Sequence, residues 1–334
     1  MSKLFRYGGA ALPQSLVILY TLAGWPLGIW LMARPGLVSD VAGVLLTAHT
    51  LVFSAYLLHD CAHHAIFATA AANDRLGALM SWINGSCLAS YQRLKRKHLR
   101  HHADRLDVVT FDYRAALKSA PSLLRRGVHL LEWAYVPAVE LLMRGMIVAA
   151  PFYDGTRAER LRVVLLLALR VLLFTALALL SLKCALLYAL AYLIFLTVLR
   201  FFDAFQHTYE VFATRSLSPA PADPRRDRRY EYEHTYSNLL SERWGWLNLL
   251  ALNFPYHNAH HVRPGEPWYR LPALHRKLYA AGDRQVITCR QLIASFHRHR
   301  VARVLAAGYG EVAESGERAK DFIGAVGVSF LTAM

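Results

Sequence analysis

Imidazole is concentrated in three short runs of the chain: His59-Asp60-Cys61-Ala62-His63-His64, His98-Leu99-Arg100-His101-His102 and His257-Asn258-Ala259-His260-His261. Placed at random, the chain's 16 histidines would produce an HxxHH triplet far less than once, yet two are present. A spacing of i, i+3, i+4 brings three rings to one face of a helix, and i, i+4 brings two. Such a face presents several nitrogens to a cation from one rigid element. Many neutral imidazoles with few carboxylates select a borderline metal such as iron, zinc or copper over magnesium or calcium. A further pair, Asp203 and His207, stands four residues apart in FFDAFQHTYE. The candidate ligands are His59, His63, His98, His101, His102, His207, His257, His260 and His261. Nine nitrogens exceed what one metal holds, and a structural zinc needs only four ligands, so two metals are the economical reading.

The other histidines read differently. His129, His275, His297 and His299 stand alone and are read as surface or packing residues. His49 lies inside an apolar segment, where packing, a helix–helix hydrogen bond and function are all open. His64 points off the face of His59 and His63 and is left out of the ligand set. His234, in EYEHTYSN, sits on a polar segment that can fold over the metals, and is kept with Asp203 as a candidate for binding the cofactor.

The histidine runs must be positioned by the segments between them. Hydrophobic residues make up 55% of the 334 residues and charged residues 18%, yet the formal net charge is +15. That combination is too apolar for an ordinary soluble domain and fits a membrane protein with a basic cytoplasmic side. A nucleic-acid-binding protein would share the charge but not the long uncharged runs. A bilayer core of about 30 Å needs roughly 20 apolar residues. Residues 12–33 and 37–58 satisfy this as a hairpin turned at Arg34-Pro35-Gly36; residues 162–182 and 184–202 form a second, with Lys183 at its tip. Residues 59–160 and those after 203 are rich in Lys and Arg, whereas the outer turns offer little beyond Arg34 and Lys183. The positive-inside rule then places the N-terminus, the central loop and the C-terminal third in the cytosol, with every histidine run on that face. The apolar stretches 76–90 and 130–152 are short or interrupted by Glu132, Glu140 and Arg144, and read as interfacial or cap-buried helices. The start, MSKLFRYGGAALPQS, lacks the h-region and cleavage site of a removed signal peptide, so the first apolar segment is expected to be retained. Four cysteines without a CxxC pair indicate neither a zinc ribbon nor a disulfide framework. The stretch from 312 onward carries no signal.

On these residues the sequence resembles the membrane-bound fatty acid desaturase superfamily. That family shows HxxxH or HxxxxH after its second span, then HxxHH, then a late HxxHH; the matches here are HDCAH at 59–63, HLRHH at 98–102 and HNAHH at 257–261. The context NFPYHNAHHVRPGEPWYRLPALH is similar to the bacterial acyl-lipid desaturase form of the last box. Structurally characterised members carry a further histidine at the end of the fourth helix, matched by His207, and four residues earlier an Asn that holds a metal-bound water. Asp203 stands in that position, so it either ligates a metal or orients a water. The resemblance covers most of the chain and implies a single domain over residues 1–334. It implies an all-α integral membrane protein in the cytoplasmic (inner) membrane, with two transmembrane hairpins (four spans) under a cytosolic helical cap that holds a di-iron site. Two iron ions, O2 as co-substrate and a fatty acid or fatty acyl lipid as substrate follow from it. No HPGG of a fused cytochrome b5-like domain occurs, so a ferredoxin-like electron donor and its reductase are the expected partners, and nucleic acid is not. The stretch FRYGGAALPQSLVILYTLAGWP and the HDCAH box resemble more specifically the bacterial fatty acid decarboxylases that release 1-alkenes.

Desaturation and alkene-forming decarboxylation can share one metal site, with the position of the acyl chain deciding between them. Carboxylates near the boxes, Asp60, Asp104, Asp107 and Asp112, are candidates for fixing imidazole tautomers, with surface solvation the alternative. Arg93, Lys95, Lys97 and Arg263 are candidate head-group anchors or snorkelling cations. Arg170, about 12 Å along a span that starts near 162, is an intramembrane charge costly enough to suggest a function. Two other readings stay open: alkane or carotenoid oxidation on the same scaffold, and a metal-binding membrane transporter or sensor. Transport sites lie near the bilayer midplane, whereas these histidines sit at its surface.

Overall fold

Helix follows from the apolar runs, and the polar loops between them set where each helix begins and ends. The computed structural model describes residues 4–280, 282–312 and 319–334. The first helices are α1 (Ala11–Ala33), α2 (Leu37–Ala62), α3 (Ala70–Ile83) and α4 (Tyr91–Asp104). Then come α5 (Tyr113–Ser119), α6 (Ser122–Trp133), α7 (Ala138–Asp154), α8 (Arg157–Leu180) and α9 (Leu182–Ala204). The remaining helices are short: α10 (Arg228–Glu233), α11 (His257–Val262), α12 (Leu271–Leu278) and α13 (Cys289–Arg298). Two three-residue strands, β1 (Asp107–Val109) and β2 (Val211–Ala213), pair in parallel. Strands this short leave no periodicity to read in a sequence. The chain is thus a mostly helical membrane protein, and α1, α2, α8 and α9 are long and apolar enough to cross a bilayer.

The chain divides into two compact units. The first comprises Met1–Arg93, Arg144–Val198 and Met334. Its α1 and α2 approach through glycine: a Cβ on Gly43 would stand 2.8 Å from the Gly28 carbonyl oxygen and from the Met32 nitrogen. Small residues allow this close backbone approach where lipid provides no hydrophobic drive. α2 continues four residues past the expected end, and its 26 residues extend about 39 Å, longer than the hydrocarbon core. α8 starts earlier than expected, at Arg157, because Thr156 and Glu159 form a capping box: Thr156 Oγ1 accepts from the Glu159 N–H at 3.2 Å, and Glu159 Oε2 accepts from the Thr156 N–H at 2.8 Å. The second hairpin turns at Ser181, so Lys183 lies in the first turn of α9 rather than at the tip. There its Nζ donates to the Arg34 carbonyl and to Asp40 Oδ1, each at 2.6 Å, tying the two hairpin turns together. Only 6% of the apolar window of α8 is buried, which leaves a long apolar face suited to lipid.

The second unit comprises Leu94–Met143 and Leu199–Ala333. One part of its core joins Tyr113, Leu117, Val139, Met143 and Val304; another joins Phe205, Leu292 and Phe322. Buried charge is matched: Arg200 pairs with Glu132 and, at 3.4 Å, with Glu140. Arg303 packs between the Phe205 and Phe296 rings at 5.1 and 4.9 Å and donates to the Ile323 carbonyl. Of the tail that carried no sequence signal, residues 324–327 and 330–334 are buried. Lys97 Nζ donates to the Ser329 and Thr332 carbonyls, both at 2.7 Å, and Lys97 is therefore an interior residue rather than a head-group anchor.

Candidate metal centre

A helix turns about 100° per residue, so on α4 His98 and His102 stand about 40° apart, and His101 lies about 100° from His102. The structure uses that division. His102 Nε2 lies 3.2 Å from His98 Nε2 and 3.1 Å from His260 Nε2. His207 Nε2 lies 3.1 Å from His101 Nε2 and 2.7 Å from His257 Nε2. His261 joins the latter group, whose four ligand nitrogens fall within 4.8 Å of one another. Each box helix contributes its i, i+4 pair to one cluster and its remaining histidine to the other. α4 gives His98 and His102 to one and His101 to the other; α11 gives His260 to the first and His257 with His261 to the second.

Protonation suits metal binding. Burial lowers His101 to about 4, against a stabilising bond to the Leu106 carbonyl. Burial, followed by the neighbouring imidazoles, holds His207 well below its usual value. Two further contacts set tautomers. His101 Nδ1–H donates to the Leu106 carbonyl at 2.8 Å, with Asp107 Oδ1 at 3.6 Å, and His261 Nδ1 faces Glu231 Oε1 at 3.2 Å. A proton held on Nδ1 leaves the Nε2 lone pair for a metal. Glu231 is steadied in turn by Arg105 at 3.0 Å and Arg228 at 2.8 Å. The strand pair adds backbone restraint, since the Asp107 N–H donates to the Glu210 carbonyl at 2.9 Å and so fixes the segments after His101 and after His207. Where the proton sits on Nδ1, Nε2 lone pairs turned on one another at about 3 Å repel unless a cation lies among them. The donor set therefore fits two borderline metal ions, iron among them.

A cavity of about 40 Å³ borders both clusters, touching His98, His101, His207 and His257. Its other walls include Asp107, Asp203, Phe254, Val328 and Phe330. Asp203, in the last turn of α9, has one carboxylate oxygen, Oδ2, buried without a hydrogen-bond partner, while Ser329 bonds the carboxylate. The Asp203 carboxylate is not among the mutually close ligand atoms of either cluster.

The family model described as fatty acid desaturase matches residues 35–292. The chain belongs to the fatty acid desaturase family. No curated protein matches it significantly. Membership in this family makes the chain an oxidoreductase, and together with the histidine clusters it supports acyl-chain oxidation at a di-iron-like centre.

Seven of the predicted ligands of this desaturase-family chain, His98, His101, His102, His207, His257, His260 and His261, meet in the second unit. His59 and His63 belong to the first unit, on the last turn of α2 and its C-cap, with ring centroids 5.0 Å apart. His64 leaves that face in a left-handed conformation, φ 54°. His234 stands outside both clusters: its Nδ1 meets Thr208 Oγ1 at 2.7 Å and its ring packs on Tyr230. Of the four aspartates named from sequence, Asp60 and Asp107 touch box histidines. Asp104 pairs instead with Arg100, and Asp112 caps α5 through the Ala115 N–H. Sequence reasoning missed Glu231, which lies 30 residues from His261 and carries no motif, and it missed the Val328 and Phe330 wall.

Proposed function

We propose that this protein uses O2 and two external electrons to oxidise a fatty acyl chain at a di-iron centre, forming either a 1-alkene by decarboxylation of a free acid or a double bond within the chain. The reading is supported above all by the two clusters of buried and half-buried imidazoles, centred on His102 and on His207. His59 and His63, as the first histidine box, complete the ligand set in this proposal. Two irons held by these imidazoles would supply the activation of O2. The protein's part is to keep the rings neutral and oriented, through the Leu106 carbonyl and Glu231. The cavity of about 40 Å³ has room for a water or O2 but not for an acyl chain. Asp203 is assigned to hold a water there, its free Oδ2 accepting, and not to bind metal. Phe254, Val328 and Phe330 keep the rest of that space apolar.

Both reactions have the same balance. The substrate gives up two hydrogens, from adjacent carbons in desaturation or from the β carbon and the acid in decarboxylation, which also releases CO2. Two electrons and two protons from outside complete the reduction of O2 to two waters. The similarity of residues 5–26 and of the HDCAH box to alkene-forming enzymes favours decarboxylation. A ferredoxin-like donor, acting from the cytosolic side of the inner membrane, is the proposed electron source. The test is gas chromatography–mass spectrometry of headspace and lipids from cells expressing the protein and fed a defined saturated fatty acid, with His101→Ala as control. A 1-alkene one carbon shorter establishes decarboxylation; an unsaturated acid of the same length establishes desaturation. Absence of both products, with electrons and O2 supplied, moves the reading to another substrate on the same scaffold.

A further inference from the structure

Arg170 lies about 20 Å from the first residue of α8 and about 15 Å from its last. A cation at that depth of a spanning helix is costly and calls for a partner. Among the described residues no carboxylate pairs with it. Its Nη2 donates to the Trp82 carbonyl at 2.6 Å and approaches Cys87 Sγ at 3.2 Å, with the guanidinium 5.8 Å from the Trp82 ring. These contacts hold the side chain against the end of α3 but do not neutralise it, and Nε is buried without a hydrogen-bond partner. Arg200, by contrast, meets two glutamates, and Lys183 meets Asp40.

In front of Arg170 the first unit contains a cavity of about 490 Å³, walled by Trp25, Ile29, Phe174, Leu177 and Tyr188 among others, and among the described residues Arg170 is the one charged residue lining it. The volume lies in the range of small-molecule sites. One charged fork in an otherwise apolar-lined cavity complements a single-chain amphiphile with an anionic head. A carboxylate matches the guanidinium fork in geometry and charge. A carboxylic acid can also reach mid-bilayer depth uncharged, whereas a phosphodiester head group carries its charge at every depth.

We infer that this cavity binds a fatty carboxylate within the bilayer, with Arg170 taking the head group and Trp25, Phe174 and Leu177 enclosing the chain. The inference stands apart from the metal chemistry, because among the described residues no histidine lines the cavity.

The full-length protein in lipid nanodiscs, labelled with a diazirine-bearing palmitate and mapped by mass spectrometry, tests it. Adducts are expected at residues 25–29 and 173–177. Palmitate should compete for them at least about tenfold better than 1-hexadecanol, the margin of a charge-assisted hydrogen bond. Arg170→Gln should bring palmitate down to the level of hexadecanol and leave hexadecanol unchanged, while Leu177→Trp should weaken both. Equal competition by acid and alcohol on the unaltered protein overturns the proposal, and this arm needs no variant to fold. So does labelling at these positions that Leu177→Trp leaves intact. Displacement by phosphatidylglycerol as effective as by palmitate would replace the fatty acid with a phospholipid. Iron content and turnover, measured on the same samples, report separately on the metal centre, so failure of one reading does not entail failure of the other.

Discussion

At the scale of single residues, an imidazole whose Nε2 is turned on other Nε2 atoms is placed to take a metal, and the two hub residues carry the sharpest predictions. His102 and His207 each face two other Nε2 atoms of their own cluster. His102→Ala and His207→Ala should therefore each remove about one of two irons per chain, read by plasma mass spectrometry, and lower turnover more than the roughly 10–100-fold loss typical of outer partners. A variant that keeps both irons would show that its histidine is not a ligand. Asp203 makes the opposite prediction. Asp203→Ala should retain both irons and lose about 10–100-fold in turnover, and Asp203→Asn, which keeps an oxygen acceptor, should restore most of it. Loss of iron in Asp203→Ala would make Asp203 a ligand instead. Which histidines come together was legible in the sequence, because i, i+3, i+4 spacing is visible in one dimension. How they are shared between clusters needed the helix turn angle, and Glu231 and Phe330 arrive from distant segments that no local pattern announces.

Elements were legible where hydropathy speaks and blurred where caps and backbone contact decide. The four spans appeared in order, but α8 began early at a capping box and α2 outran its apolar stretch. The α1–α2 contact depends on Gly43, whose added Cβ would meet backbone atoms that cannot swing aside. Gly43→Ala should cost about 1–3 kcal/mol, seen as a lower thermal unfolding midpoint in detergent; an unchanged midpoint would mean the hairpin does not rely on this approach. In α12, His275 is buried between Tyr256 and Tyr279, both rings at 5.1 Å, and burial lowers it to about 4. Its folded pKa lies below the unfolded value of about 6.5, so between the two the unfolded chain takes up the proton. The stability it contributes is complete above about 6.5 and is lost as the pH falls towards 4. His275→Phe removes this linkage. The midpoint of the wild type relative to the variant should therefore fall between pH 7 and pH 4.5, whereas a constant difference would mean His275 does not titrate on unfolding.

For the whole molecule, the open quantity is which way the charge of +15 faces. The turns Arg34–Gly36 and Ser181–Lys183 carry little of it, and Lys183 is already paired with Asp40. Arginine and lysine instead accumulate in the loops that follow α2 and α9. Charge asymmetry of this kind retains the basic loops in the cytosol during insertion, which would also bring the histidine boxes within reach of a soluble electron donor. Single cysteines added to a Cys289→Ser background can test the orientation, since Cys61, Cys87 and Cys184 are buried and contribute little signal, whereas Cys289 is partly exposed. Pro35→Cys, in the exposed first turn, should react with a membrane-impermeant maleimide on intact spheroplasts. Arg229→Cys, on the exposed first turn of α10, should react only after permeabilisation. The reverse pattern would place the metal centre on the outer side and exclude a cytosolic donor. Reaction of both cysteines from the same side would break the two-hairpin topology itself, because Pro35 is separated from residue 229 by three of the four spans.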